Sequence, residues 1–343
     1  MKARRALTWA GVLLILVISI GLWLVFGEMK EMTALRYEAG EQVGAEVCAQ
    51  CHEEIYQEWS ENSRHAQATV SAGFLDFKTK FTDNLMFGVM MGEKMCYACH
   101  GDKTVNEGVN CETCHGPALP GVPIDETHER KYTPGLAAMQ NSDFCGRCHE
   151  MANFISGDEI MSLFSELRRS EAGKQGVTCQ GCHMTRDEDD RPYHGFDTAY
   201  RNPHIYMGDV EVMDIRLAFP RLSMTIENNI QGHAVPPSGP SRVMTLDISL
   251  LDSGGQALHE MTVKFAKTFT LMAGLMPFQM IDNSQLQSGE ARELIFTLPE
   301  QLKQKVIAAQ VTLRFHEISD EHQGDVSKAH WTSAPFLEKQ VRF

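Results

Sequence analysis

Hydrophobic positions follow three different patterns along the chain, and each predicts a different kind of structure. Residues Ala6 to Phe26 (ALTWAGVLLILVISIGLWLVF) form an unbroken uncharged run, long enough to cross a bilayer, which takes about 20 residues as a helix. Lys2, Arg4 and Arg5 precede it, so the positive-inside rule leaves the N-terminus in the cytoplasm and everything after Gly27 outside. A cleaved signal peptide is the alternative. Its apolar stretch usually spans about 7–15 residues and ends on small residues, whereas this run is longer and is followed by Gly27-Glu28-Met29-Lys30. The run therefore reads as a retained single-pass anchor over residues 1–27, with residues 28–45 as a polar tether.

From residue 46 to 206 sustained periodicity is scarce, and glycines and polar turn residues dominate. The exception is Cys51 to Ala66 (CHEEIYQEWSENSRHA), where Ile55, Tyr56 and Trp59 share one side of an expected helix. Along a continuous helix His65 would lie about 20 Å from His52, too far for both to face the same group.

From residue 207 to 343 the period changes to two. Val210 and Val212 alternate, as do Ile215, Leu217 and Phe219, then Leu222, Met224 and Ile226. Leu246, Ile248 and Leu250 follow, then Val263 and Phe265, Leu294 and Phe296, and Val311, Leu313 and Phe315. Turn signals separate them at Pro236 to Pro240, Asp252 to Gly255 and Asn283 to Gly289. Short alternating strands at this spacing predict an all-β, antiparallel, sandwich-like domain.

Charge removes one class of partner. The net charge is -14 over 343 residues, which argues against nucleic acid, since phosphate binding needs a basic surface. An acidic surface suits docking on a basic protein partner.

The cysteines decide the chemistry. All ten fall in five units: Cys48-Ala-Gln-Cys51-His52, Cys96-Tyr-Ala-Cys99-His100, Cys111-Glu-Thr-Cys114-His115, Cys145-Gly-Arg-Cys148-His149 and Cys179-Gln-Gly-Cys182-His183. Cys-x-x-Cys-His is the haem c attachment pattern: two thiols bond to the haem vinyl groups and the next residue places an imidazole under the iron. A disulfide framework gives no reason for a histidine after every second cysteine. Zinc ribbons pair their Cys-x-x-Cys units, and five is an odd number. The count implies five covalently bound haem c groups, with His52, His100, His115, His149 and His183 as proximal iron ligands. Ten residues separate His100 from Cys111, so haems two and three are expected to be near neighbours.

Residues 46–195 resemble the multihaem cytochrome c family related to hydroxylamine oxidoreductase and its tetrahaem electron-transfer partner. The resemblance rests on the first motif followed by Tyr56, Trp59, Ser63, His65 and Ala66. It rests also on Val109-Asn-Cys-Glu-Thr-Cys-His-Gly-Pro117, and on Val177-Thr-Cys-Gln-Gly-Cys-His-Met184 followed by His194-Gly-Phe196. It implies that His65, His128 and His194 are distal iron ligands. The segment Asn229 to Gly239 (NIQGHAVPPSG) looks like one in the β-domain appended to some relatives, whose histidine caps a haem iron; His233 would do so here. Fourteen histidines less the five in motifs leaves nine, enough to cap every iron, with His204 as the fifth candidate. Met86, Met90, Met91 and Met95 cluster before the second motif, but methionine is more often an adaptable packing residue.

The expected layout is a multihaem cytochrome domain over 46–206, with short helices and loops wrapped round haems, and the β-domain over 207–343. Both would lie on the periplasmic side of a bacterial inner membrane. The expected function is electron transfer between a membrane, quinol-linked donor and a periplasmic or extracellular acceptor protein. Two alternatives stay open: an oxidoreductase acting on a small nitrogen or sulfur compound at a five-coordinate haem, with His128, Tyr132 and Arg147 nearby, or a quinol dehydrogenase.

Overall fold

The computed structural model describes residues 42–69, 97, 99–101, 107–116, 139–152, 157–196, 209–237, 242–272, 276–316 and 335–343. The predicted anchor and tether up to residue 41 lie outside them. Among the described residues no helix is long and apolar enough to cross a membrane.

The motifs sit on short helical turns. Helix α1 (Ala45–Ala49) carries Cys48, and α2 (Glu53–Gln57) starts just after His52. Helix α3 (Cys111–His115) is the third motif itself, α4 (Ser142–His149) ends on the fourth, and α7 (Cys179–His183) is the fifth. Positions i, i+3 and i+4 share one helix face, so one turn presents both thiols and the imidazole to the same side. Such short helices need caps. Asn110 accepts from Thr113 N, Asn141 from Asp143 N and Thr178 from Gly181 N at 2.8–3.1 Å.

The helix expected over Cys51 to Ala66 is shorter. After α2 the chain makes a π-helical turn at Glu58–Asn62, then becomes extended at Ser63. Trp59 Nε1 donates to Val109 O at 2.9 Å, and Ser63 Oγ accepts from His65 N at 3.0 Å. The Ser63 bond offers the backbone an alternative to continuing the helix, while the Trp59 bond anchors the turn to a distant segment. The 20 Å estimate therefore does not apply.

Two short strands, β1 (Glu150–Ala152) and β2 (Glu159–Ser162), pair after the fourth motif. They are too short for a period-two signal. Helices α5 (Leu163–Arg169) and α6 (Glu171–Lys174) follow.

Among the described residues eight strands make the C-terminal part: β3 (Val210–Ala218), β4 (Arg221–Asn228), β5 (Val243–Leu251), β6 (Ala257–Met272), β7 (Met276–Asn283), β8 (Ala291–Thr297), β9 (Ala308–His316) and β10 (Leu337–Arg342). All pairings are antiparallel, in sheets ordered β10-β9-β5-β6-β7 and β3-β4-β8. The apolar faces meet in one core that includes Val212, Leu222, Met224, Ile226, Leu246, Ile248, Phe265, Val311 and Leu313. Fully burying each such side chain stabilises by about 1.5–3 kcal/mol. The break in alternation between Val212 and Ile215 is a bulge in β3, with Asp214 at φ 51°. Apolar alternation along the sequence does not mark strands β7 and β10.

One buried polar node joins the helical and β parts. Lys267 Nζ, on β6, donates to Ser162 Oγ at 2.6 Å and to Glu159 O at 3.2 Å, and lies 3.7 Å from Glu166 Oε1. Glu166, on α5, accepts from Ser162 Oγ at 2.5 Å and from Ala234 N at 2.9 Å. The Lys267 and Glu166 side chains are only 3% and 8% exposed, and burial pushes the Lys267 pKa down. Removing one partner of a buried pair leaves an uncompensated charge. Lys267→Met should therefore lower the unfolding free energy by about 3 kcal/mol, measured by urea unfolding. Adding Glu166→Gln should recover part of that loss; a double variant as unstable as the sum of the two singles would refute the coupling.

Candidate functional site

Segments distant in sequence are tied together around the motifs. Glu112, within the third motif, accepts from Gly44 N at 3.0 Å, and Glu107 accepts from Ala45 N at 2.7 Å. The third motif is thereby locked to the first, and the Cys48 and Cys111 thiols hydrogen-bond one another. The Cys145 and Cys179 thiols do the same between the fourth and fifth. No disulfide links the nine described cysteines; Cys96 lies outside the described residues. These contacts put the third motif beside the first, and Gly101, just after the second motif, packs against Gly108, just before the third. His100, of the second, lies within electrostatic reach of His65 and His149.

Three imidazole pairs form across these segments. His65 faces His149 with ring centroids 6.0 Å apart, His194 faces His115 at 6.3 Å, and His233 faces His183 at 6.4 Å. First-row metal–imidazole bonds of about 2 Å on either side of one ion separate two ring centroids by about 6 Å. In every pair one ring belongs to a Cys-x-x-Cys-His unit and the other comes from elsewhere. These residues fit a haem iron, which the two imidazoles of a pair would hold, with the motif thiols beside it.

The protonation chemistry agrees. Desolvation by burial lowers the pKa values of His65 (to about 4), His149 (to about 3), His100, His194 and His233. His149 keeps an open ring surface, yet the groups packed around it, with His65 next in effect, still disfavour its charged form. Neutral imidazole is the form that binds metal. Nδ1 of His100 bonds Ala68 O at 2.9 Å, that of His194 bonds Pro192 O at 2.8 Å, and that of His233 bonds Ala234 O at 3.1 Å. A carbonyl accepts, so Nδ1 carries the proton and Nε2 keeps its lone pair for a metal.

Each incoming histidine has its own support. Glu58 accepts from His194 N at 3.0 Å and pairs with Arg191 at 2.9 Å, so the first segment holds a residue 136 positions away. Glu166 accepts from the amide that follows His233. His65 O accepts from Val109 N at 2.9 Å, and Gly108 (φ 71°) passes so close that a Cβ there would lie 2.2 Å from His65 O. These supports were not singled out in the sequence, where single glutamates and glycines carry no periodic signal.

Of the remaining candidates, His128, His204, Tyr132 and the methionine cluster lie outside the described residues. Arg147 stacks over Phe144 at 5.2 Å.

Residues 47–116 match the family described as cytochrome c554 and c-prime. The fold is similar to that of a penta-heme cytochrome c552 from Thermochromatium tepidum, with a TM-score of 0.62 at 19% identity, covering 88% of this chain and 99% of that one. A Pseudomonas fluorescens alkylpurine DNA glycosylase AlkC bound to DNA also matches, at TM-score 0.17 and 10% identity over 39% of this chain and 30% of that one, and carries no argument. No curated protein sequence matches. The chain thus has a multihaem c-type cytochrome fold with a β-rich C-terminal part.

Gly108→Ala should push the His65 backbone away from His149, through both the close approach and the positive φ. The expected result is loss of low-spin iron at that pair, read by electron paramagnetic resonance (EPR) of the oxidised protein.

Proposed function

We propose that the chain is a membrane-anchored electron-transfer protein holding five covalently attached haem c groups. The three facing imidazole pairs carry this reading. Each haem would supply a one-electron Fe(III)/Fe(II) couple. The cysteines of each motif would bond it, and His52, His100, His115, His149 and His183 would be proximal ligands. His65, His194 and His233 would be distal to His149, His115 and His183. The pairs would leave no open coordination position at those three sites, which suits electron transfer and not substrate binding. An enzymatic site would have to lie at His52 or His100.

The ligand-bearing segments pack against one another, and the thiol contacts between motifs one and three and between four and five support closely spaced haems. The β-domain is assigned the delivery of His233, through the node at Glu166 and Lys267. Residues 6–26 are assigned to a single membrane span with the haems on the periplasmic side, beside a quinol-linked donor. The -14 net charge favours a basic acceptor protein.

The purified protein should exceed the polypeptide mass by five haems. Oxidised protein should show low-spin EPR signals indifferent to nitrite, hydroxylamine or CO; a high-spin signal that moves on their addition would favour the enzyme instead. His233→Ala should convert one low-spin haem to high spin, and an unchanged spectrum would refute that assignment.

A further inference from the structure

The three pairs are not equivalent, and the differences centre on Phe196. Its ring meets the His65 ring edge-on at 4.4 Å and 84°, and that of His194 at 6.3 Å and 87°. Phe196 therefore stands between two of the incoming histidines. Its backbone is left-handed, at φ 49°, a conformation that disfavours a bulky residue. Such a placement persists only where the surroundings over-determine it.

His65 differs from the other incoming histidines in two ways. Its Nδ1 is buried and has no hydrogen-bond partner, whereas Nδ1 of His194 and of His233 each meet a backbone carbonyl. The packing against Phe196 orients the His65 ring in place of such a bond. The ring planes also differ: His65 and His149 are turned 60° apart, against 27° for His115 and His194 and 8° for His183 and His233.

We propose that Phe196 and the unpartnered Nδ1 of His65 make the His65–His149 position the highest in potential of the three paired sites. The proposal rests on the bis-imidazole reading above. Two effects act in the same direction. An imidazole without an Nδ1–H acceptor is a poorer donor, so it stabilises ferric iron less. Two imidazoles in turned planes cannot both donate into the single half-filled d orbital of low-spin ferric iron, whereas parallel ones can.

The location gives the difference a use. The fourth motif contacts the fifth through Cys145 and Cys179, and Cys114 of the third lies within electrostatic reach of Cys145. A high-potential position between two lower ones holds an electron arriving from either side. Phe196 acts here as a positioning residue.

The test is an EPR-monitored potentiometric titration of the full haem-loaded protein. One low-spin signal should be strongly anisotropic, as turned imidazole planes require, should disappear in His65→Ala, and should be reduced before the signals removed by His194→Ala and His233→Ala. In Phe196→Ala the anisotropic signal should collapse towards the shape of the others and its potential should fall, with haem content unchanged. If the signal lost in His65→Ala is reduced after the other two, or Phe196→Ala leaves shape and potential unmoved, the proposal is overturned. If His65→Ala removes no low-spin signal at all, the bis-imidazole reading itself fails at that site. Should Phe196→Ala not fold, the order of reduction in the unsubstituted protein decides alone.

Discussion

Two imidazoles that share one metal must face each other across about 6 Å, and a motif supplies only one of them. The second has to be brought from a distant stretch of chain and held there with its Nε2 unprotonated. Several described contacts of the helical part serve that demand. Glu58 holds the His194 loop, Val109 and Gly108 hold the His65 backbone, and Glu166 holds the segment carrying His233. Burial keeps the imported rings neutral, and backbone carbonyls set the tautomer of two of them. Folding and ligand geometry are in this sense one problem.

The node at Glu166, Ser162 and Lys267 shows how the β part enters that problem. A buried ion pair is a poor source of net stability because desolvation offsets most of the attraction. It is a good source of specificity, since an unmatched partner in the same place is strongly unfavourable. Here it determines where β6 sits against α5, and Glu166 then reaches the amide after His233. The sandwich core gives that contact a rigid backing. Leu246, Ile248 and Phe265 pack in the core between the two sheets.

The β-rich part was largely legible because its signal is local. Period-two alternation reports one buried face, and Leu222 to Ile226, Leu246 to Leu250 and Val311 to Phe315 all bury that face. Even the bulge in β3 was visible as a break in phase. Strand β10 (LEKQVR) has few apolar residues and pairs only at an edge, so alternation could not reveal it. In the helical part the periodic signal is weak because helices of about one turn are held by caps and cross-chain bonds. The helix expected through His65 failed for that reason: Trp59 and Ser63 bond away from the helix axis.

By itself the sequence determined the haem chemistry of the motifs, since the spacing of two thiols and an imidazole on one helical turn is a covalent and local matter. It also marked His65, His194 and His233 as candidate partners, through resemblance to other chains. Only the tertiary structure decided which histidine meets which motif, because that depends on contacts such as Glu58 with His194 N across 136 positions. It alone showed Phe196 between His65 and His194, and the three pairs turned by 60°, 27° and 8°. Ring orientation follows from packing on all sides of a side chain, and no pattern along one strand of sequence carries that information.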